Sequence, residues 1–159
     1  MTANPFTTCL WFDTQGEEAA RFYTSIFKDS SLGRIGRYGE EGPGPAGSVM
    51  VVEFSLNGQN FVALNGGPQY SFTPAISFQV FCGDQAELDY YWDRLAEDGQ
   101  EVACGWVTDK YGLSWQIIPD GLIEMISDPD QQKAARTTKA MMSMTKFDIE
   151  ALHAAHEGR

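Results

Sequence analysis

Two amphipathic stripes recur in this chain at one fixed offset, and that repetition constrains the fold more than any other feature. Ala19, Phe22 and Ile26 stand 69 positions before Leu88, Tyr91 and Leu95, with Tyr23 and Trp92 completing the stripes. Recurrence at three or four residues marks one face of a helix. Each stripe follows an apolar strand, CLWFD in the first case and ISFQVFC in the second, and a pair with capping spacing, Thr14 with Glu17 and Asp84 with Glu87. Strand, cap and helix are therefore given twice.

Further strands follow each helix. SVMVVEFSL and QNFVALN flank Asn57-Gly58, a dipeptide suited to the positive φ angles of a tight hairpin. EVACGWV and GLSWQIIP flank TDKY in the second half, while GRYGEEGPGPAGS is too rich in Gly and Pro for an element interior and is expected to be a mobile loop. QQKAARTTKAMMSM and DIEALHAAHE, with Asp148 as cap, are helical by propensity. The order implies an α+β fold in which two βαββ(β) modules form a mixed sheet with helices on one side, followed by a C-terminal helical tail. We place the first module at residues 5–67, a linker at 68–74, the second module at 75–127 and the tail at 128–159, all within one domain.

With 159 residues, 43% hydrophobic and 13% aromatic, the chain has enough apolar surface for a sizeable core. A balance of 11 basic against 22 acidic residues, net −11, repels phosphate backbones and anionic lipid, so neither nucleic acid nor membrane is an expected partner. No apolar run approaches the ~20 residues of a membrane span, and the first ten residues lack a secretory pattern; the expected location is the cytoplasm. Cys9, Cys82 and Cys104 sit in apolar segments and are read as reduced core thiols. His153 and His156, the only histidines, fall on the last helix and read as a solvated face, so no Ser-His or Cys-His nucleophile pair is expected in the sheet.

One strand carries a misfit. In GLSWQIIP an uncharged amide, Gln116, interrupts an otherwise apolar run.

The duplicated unit, together with CLWFD, EEAARFYTSIF, FVALNGGP, CGW, YGLSWQIIP and a DPD that opens a Met-rich tail, resembles the PhnB-like branch of the vicinal oxygen chelate superfamily, which includes the glyoxalases. The resemblance implies two modules paired in a curved sheet whose concave face holds the site, within a homodimer. Many such proteins carry a 3-demethylubiquinone-9 3-methyltransferase label, yet no strand here is followed by the glycine-rich turn that an adenosyl cofactor normally requires. The metal-using relatives hold a divalent ion through His, Glu or Gln near the first strand of each module and Glu on the last. Here those places offer Thr7, Thr8 or Cys9, then Ala63 or Asn65, Ala75 to Ser77, and Gln116, which alone matches in kind. One amide does not hold a catalytic ion, so no metal and no other cofactor is expected; a set of Glu53, Asn65 and Gln116 is the alternative.

Alternation along each strand assigns Thr8, Leu10, Phe12, Glu53, Ser55, Ala63, Asn65, Ser77, Gln79, Phe81, Ser114 and Gln116 to the cavity side. Cys9, Trp11, Val62, Leu64, Phe78, Val80, Trp115 and Ile117 are then assigned beneath the helices. Trp106 is a candidate to stack a planar ligand. Glu53, as a desolvated carboxylate, is the candidate general base; a solvated strand glutamate is the alternative. Asn65 either binds substrate or caps a turn. Met141, Met142 and Met144 are read as core or subunit contact.

The resulting expectation is a homodimeric protein with an apolar, aromatic-lined pocket for a small organic molecule. A divalent-metal-dependent lyase or dioxygenase is one alternative, a non-catalytic protein-interaction module another.

Overall fold

A computed structural model describes residues 5–159. The chain divides into two compact units, one ending at Phe72 and the other beginning at Thr73.

The first unit holds β1 (Thr8–Phe12), α1 (Gly16–Ile26), β2 (Ser31–Arg37), β3 (Val49–Leu56) and β4 (Gln59–Asn65). Its four-stranded sheet has the order β1-β4-β3-β2, with β1 parallel to β4 and the other pairs antiparallel. The hairpin turn between β3 and β4 is built on Asn57 and Gly58 at φ 48° and 77°, the left-handed pair that a two-residue connection requires. Strand β2 lies at the sheet edge with its register shifted twice. Two glycines and mostly exposed side chains hide it from any apolar alternation.

The second unit repeats the plan: β5 (Ser77–Cys82), α2 (Gln85–Ala96), β6 (Gln100–Val102), β7 (Trp106–Thr108) and β8 (Ser114–Pro119). The order is β5-β8-β7-β6, again with the first strand parallel to the last. The α+β class and the duplicated module hold, and the strands are hydrogen-bonded as two four-stranded sheets. Beyond β8 come α3 (Leu122–Ile126), α4 (Gln131–Met142) and α5 (Ile149–Glu157). Asp130 and Asp148 cap α4 and α5 through their carboxylates, as short polar side chains do for orphan helix N–H groups. No helix among the described residues is long and apolar enough to cross a membrane.

The two module helices start differently. Asp84 accepts from the Glu87 amide, so the expected cap is present on α2, and the Glu87 carboxylate reaches back to accept from Gly83 N, one residue before the N-cap. On α1 the expected Thr14–Glu17 box does not form: the N-cap is Gln15, with no side-chain bond. The Asn65 side chain, from the end of β4, accepts from Gly16 N instead at 2.7 Å.

Helix α1 buries Ala19, Ala20, Tyr23 and Ile26 against the sheet, with Tyr23 stacked near Phe54 and Phe54 stacked on Phe61. Because residues paired across strands share a face, Leu10 and Phe12 lie on that same face opposite Ala63 and Asn65. In the second unit Leu88, Tyr91, Trp92 and Leu95 of α2 are buried, as are Cys82, Val107, Trp115 and Ile117 of the sheet. Of the three cysteines only Cys82 is buried; Cys9 is exposed and Cys104 half-buried in a turn, so the reading of all three as core thiols is corrected.

A strap from the tail is tied to the β6–β7 turn. Cys104 N and Gly105 N donate to Met144 O and Thr145 O at 2.8 Å. The amide of Gln85 brackets the buried Phe147, donating to its carbonyl and accepting from Ile149 N. Lys146 pairs with Asp89 at 3.0 Å.

Candidate functional site: the uncovered sheet faces

Each helix covers one face of its sheet, and the alternate residues form the other face. In the first unit the strand register places Cys9, Trp11, Val51, Glu53, Ser55, Val62 and Leu64 there. The expectation that Leu10, Phe12, Ala63 and Asn65 face a cavity is therefore overturned: they are buried on the α1 side. The two modules differ here by a single residue. Three residues (Asp13, Thr14 and Gln15) link β1 to α1, but only Gly83 and Asp84 link β5 to α2. The helices repeat at 69, whereas the buried strand positions Leu10 and Phe12 correspond to Val80 and Cys82, at 70. A slip of one reverses every side chain of a strand.

Asn65 has a structural task on the buried side. Besides accepting from Gly16, its amide donates to Val49 O at 3.1 Å, so both ends are engaged. Glu53 does lie on the uncovered face, but its side chain is 45% exposed and ion-paired with Arg34 at 2.9 Å. The burial invoked for a general base is not there. Glu53, Ser55, Ser31 and Val62 border a depression of about 350 Å³. A second cavity, of about 440 Å³, is lined by Asp13, Glu17, Tyr38, Asn65, Gly67 and Gln69 among others.

In the second unit the uncovered face carries Ser77, Gln79 and Phe81 from β5, Ser114 and Gln116 from β8, and Trp106 and Thr108 from β7. Gln116 Nε2 donates to Ser77 Oγ at 2.8 Å, and Gln79 Nε2 donates to Gln116 Oε1 at 3.4 Å. The misfit amide of GLSWQIIP thus sits in a row of neutral polar groups directly paired across strands. Phe81 lies one step further along the same strand face and is 51% exposed. Trp106 stands opposite Gln116 and is half-buried, and Ser114 is buried. Thr8 pairs with Phe61 at the start of β1 on the α1 side of the first sheet, away from the uncovered face.

The turn before β8 is fixed by Asp109, which is 3% exposed. Its carboxylate accepts from Tyr111 N, Leu113 N and Trp115 Nε1, and so sets the register that presents Gln116. Burial of a carboxylate is tolerated when its oxygens are this fully bonded. The histidines do not converge on either face: His153 is exposed and His156 pairs with Asp128 at 2.9 Å.

The donor sets do not suit the divalent ion implied by the resemblance. On the first uncovered face Cys9 and Glu53 are the ligand-type side chains, and Glu53 already pairs with Arg34. On the second, Ser77, Gln79 and Gln116 are neutral and bonded to one another. Asn65, a member of the alternative set, is committed to backbone groups on the buried side. Hard cations want several oxygens including carboxylates, and zinc wants nitrogen or sulfur. Among the described residues no group of three or more His, Cys, Asp or Glu is placed to hold a metal ion.

Two open-faced βαβββ modules with a shared strand order define a duplicated α+β protein of the glyoxalase-like kind. A family model described as 3-demethylubiquinone-9 3-methyltransferase matches residues 4–118, and the chain belongs to that family. A solved structure described as a putative 3-demethylubiquinone-9 3-methyltransferase, PhnB protein, from Bacillus cereus is 39% identical, with 73% of this chain and 99% of that one covered and a TM-score of 0.67. Protein PA1353 from Pseudomonas aeruginosa is 19% identical over 74% of this chain and all of that one, with a TM-score of 0.60, a likeness of fold. A glyoxylase/bleomycin resistance protein/dioxygenase domain from Frankia sp. EAN1pec is 19% identical over 75% of this chain and 92% of that one, with a TM-score of 0.44. No curated protein matches the chain.

Proposed function

We propose that this protein binds a small organic molecule on the sheet faces its helices leave uncovered, without a divalent ion. One observation carries the reading: an exposed aromatic ring, Phe81, borders a hydrogen-bonded row of neutral polar groups, Ser77, Gln116 and Gln79. Ligand sites are largely apolar surfaces on which a few placed polar groups fix orientation. Trp106, opposite Gln116, adds a second ring with an N–H. The ligand that suits such a surface is neutral and planar, with one or two hydrogen-bonding groups for the Gln79 and Gln116 amides. Methyl transfer is not carried over from the family's description, because the turns after β1 and β5, Asp13-Thr14-Gln15 and Gly83-Asp84, lack a glycine-rich phosphate or adenosyl cradle. A cytoplasmic homodimer is part of the same proposal, in keeping with the exposed Ile76 and Tyr70.

The test is a thermal-shift screen of neutral aromatic fragments on chelator-treated protein, repeated with Phe81→Ala and Gln116→Leu. Fragments that stabilise the wild-type protein and lose their effect in both variants support the proposal; a ligand at 100 times its Kd contributes about 2.7 kcal/mol. Stabilisation that requires added manganese, nickel or zinc contradicts it in favour of a metal-dependent enzyme.

A further inference from the structure

The strap that ties the tail to the β6–β7 turn brings two sulfur atoms together. Cys104 Sγ and Met142 Sδ are 3.7 Å apart. We propose that Cys104 and Met142 are ligands of a binding site for a soft monovalent metal ion, Cu(I) or its redox-inert counterpart Ag(I). Thiolate and thioether sulfur together select such ions over hard divalent ones. Taking the ~2.3 Å of a zinc–thiolate bond as a guide, two ligands at tetrahedral or trigonal angles stand about 3.8 Å or about 4.0 Å apart, so little movement separates the present contact from a ligated pair.

The surroundings hold that pair in register. Cys104 adopts φ 60° in the left-handed region, and the amides of Cys104 and Gly105 are bonded to the strap at Met144 and Thr145. Met142 is the last residue of α4 and Ser143 N closes that helix on Ala140 O, so both sulfurs are carried by anchored backbone. Cys104 is half-buried and Met142 is 63% exposed, which leaves the site open to an incoming ion. A net charge of −11 favours approach of a cation. On binding, the Cys104 S–H bond breaks, the sulfur–metal bond forms and the proton passes to solvent. No oxidation state changes. Met142 lies beyond the 4–118 stretch shared with the family, so the site depends on this chain's tail.

Reduced full-length Cys9→Ser protein, in which the other accessible thiol is removed, titrated anaerobically with Ag(I), and with Cu(I) delivered from a competing chelator, tests this directly. The expected result is one tightly held equivalent with release of about one proton, and a shift of the Met142 methyl resonance. In that background Cys104→Ser abolishes the site and Met142→Leu weakens it at least about tenfold. Because Met142 is exposed, Met142→Leu is expected to keep the wild-type melting temperature, which separates loss of a ligand from loss of fold. Binding that persists in Cys104→Ser, or that is unaltered in Met142→Leu, overturns the proposal.

Discussion

Asn65 Oδ1 accepts from Gly16 N at 2.7 Å, so the last residue of β4 caps the helix that follows β1. The same amide donates to Val49 O, tying three elements at one side chain. Asn65→Ala removes the cap and strands a carbonyl, and is expected to cost about 2–3 kcal/mol in chemical denaturation. Thr14→Ala, at the position the sequence motif favours, is expected to stay within about 0.5 kcal/mol of the parent.

Gly105 and Phe147 form the second clasp. At φ 77°, a Cβ on Gly105 would stand 2.3 Å from the Phe147 ring and 2.9 Å from Ile117 O. Gly105→Ala is expected to lose about 2–4 kcal/mol. Phe147→Ala loses about 3–5 kcal/mol by truncating a buried ring. Since the two groups compete for one space, the double variant should be less destabilised than the separate losses predict. A double-mutant cycle measured by denaturation reads that coupling.

The three thiols differ in reach. Burial, helped by Glu87, Asp120 and Asp84, pushes the Cys82 thiol up to about 12. Alkylation of the native protein at pH 8, followed by mass spectrometry, should modify Cys9 and Cys104 and spare Cys82 until denaturant is added. A raised thiol pKa in the folded state contributes stability below the ordinary value near 9, and that contribution is lost as pH rises from there towards 12.

Lys146 and Asp89 give the strap a pH signature. Hydrogen bonds from Gln85 and Lys146 hold the Asp89 carboxyl below its usual range, and Asp89 in turn raises the Lys146 ammonium. Asp89 contributes stability above its unfolded pKa, which fades as pH falls through the lowered folded value. Lys146 contributes below its unfolded pKa, and that fades as pH rises through the raised one. Both groups are well exposed to solvent, so the pair is expected to provide no more than about 1 kcal/mol and to weaken with salt. Asp89→Asn should flatten the strap's pH dependence at both ends, measured as protease susceptibility of the tail.

Much of this architecture is legible in residue pattern. Both helical stripes, the Asn57-Gly58 hairpin, the Asp84 and Asp148 caps and the duplicated order rest on local chemistry that needs no tertiary knowledge. The faces of β1 and β4 were not legible for a different reason. TCLWF and FVAL are apolar at every second position on both sides, so nothing in them marks which side α1 covers. The helix repeat does not mark it either, because the connection from β1 to α1 is one residue longer than that from β5 to α2. Asn65 is ambiguous for a related reason: a polar residue on an apolar strand looks like a site until its two backbone partners are seen. In β5 and β8 the polar row of Ser77, Gln79, Ser114 and Gln116 supplies the missing marker. Strand β2 and helix α3 leave little pattern in the sequence, because one is glycine-containing and mostly exposed and the other is five residues long.

The most direct measurement is backbone amide NMR of the chelator-treated protein during titration with a fragment that stabilises it. Shifts concentrated at 77–81, 106 and 114–116, and absent in Phe81→Ala, are the predicted result. Shifts confined to the cavity beside Asp13, Tyr38 and Gln69, or appearing only once a divalent ion is added, would contradict it.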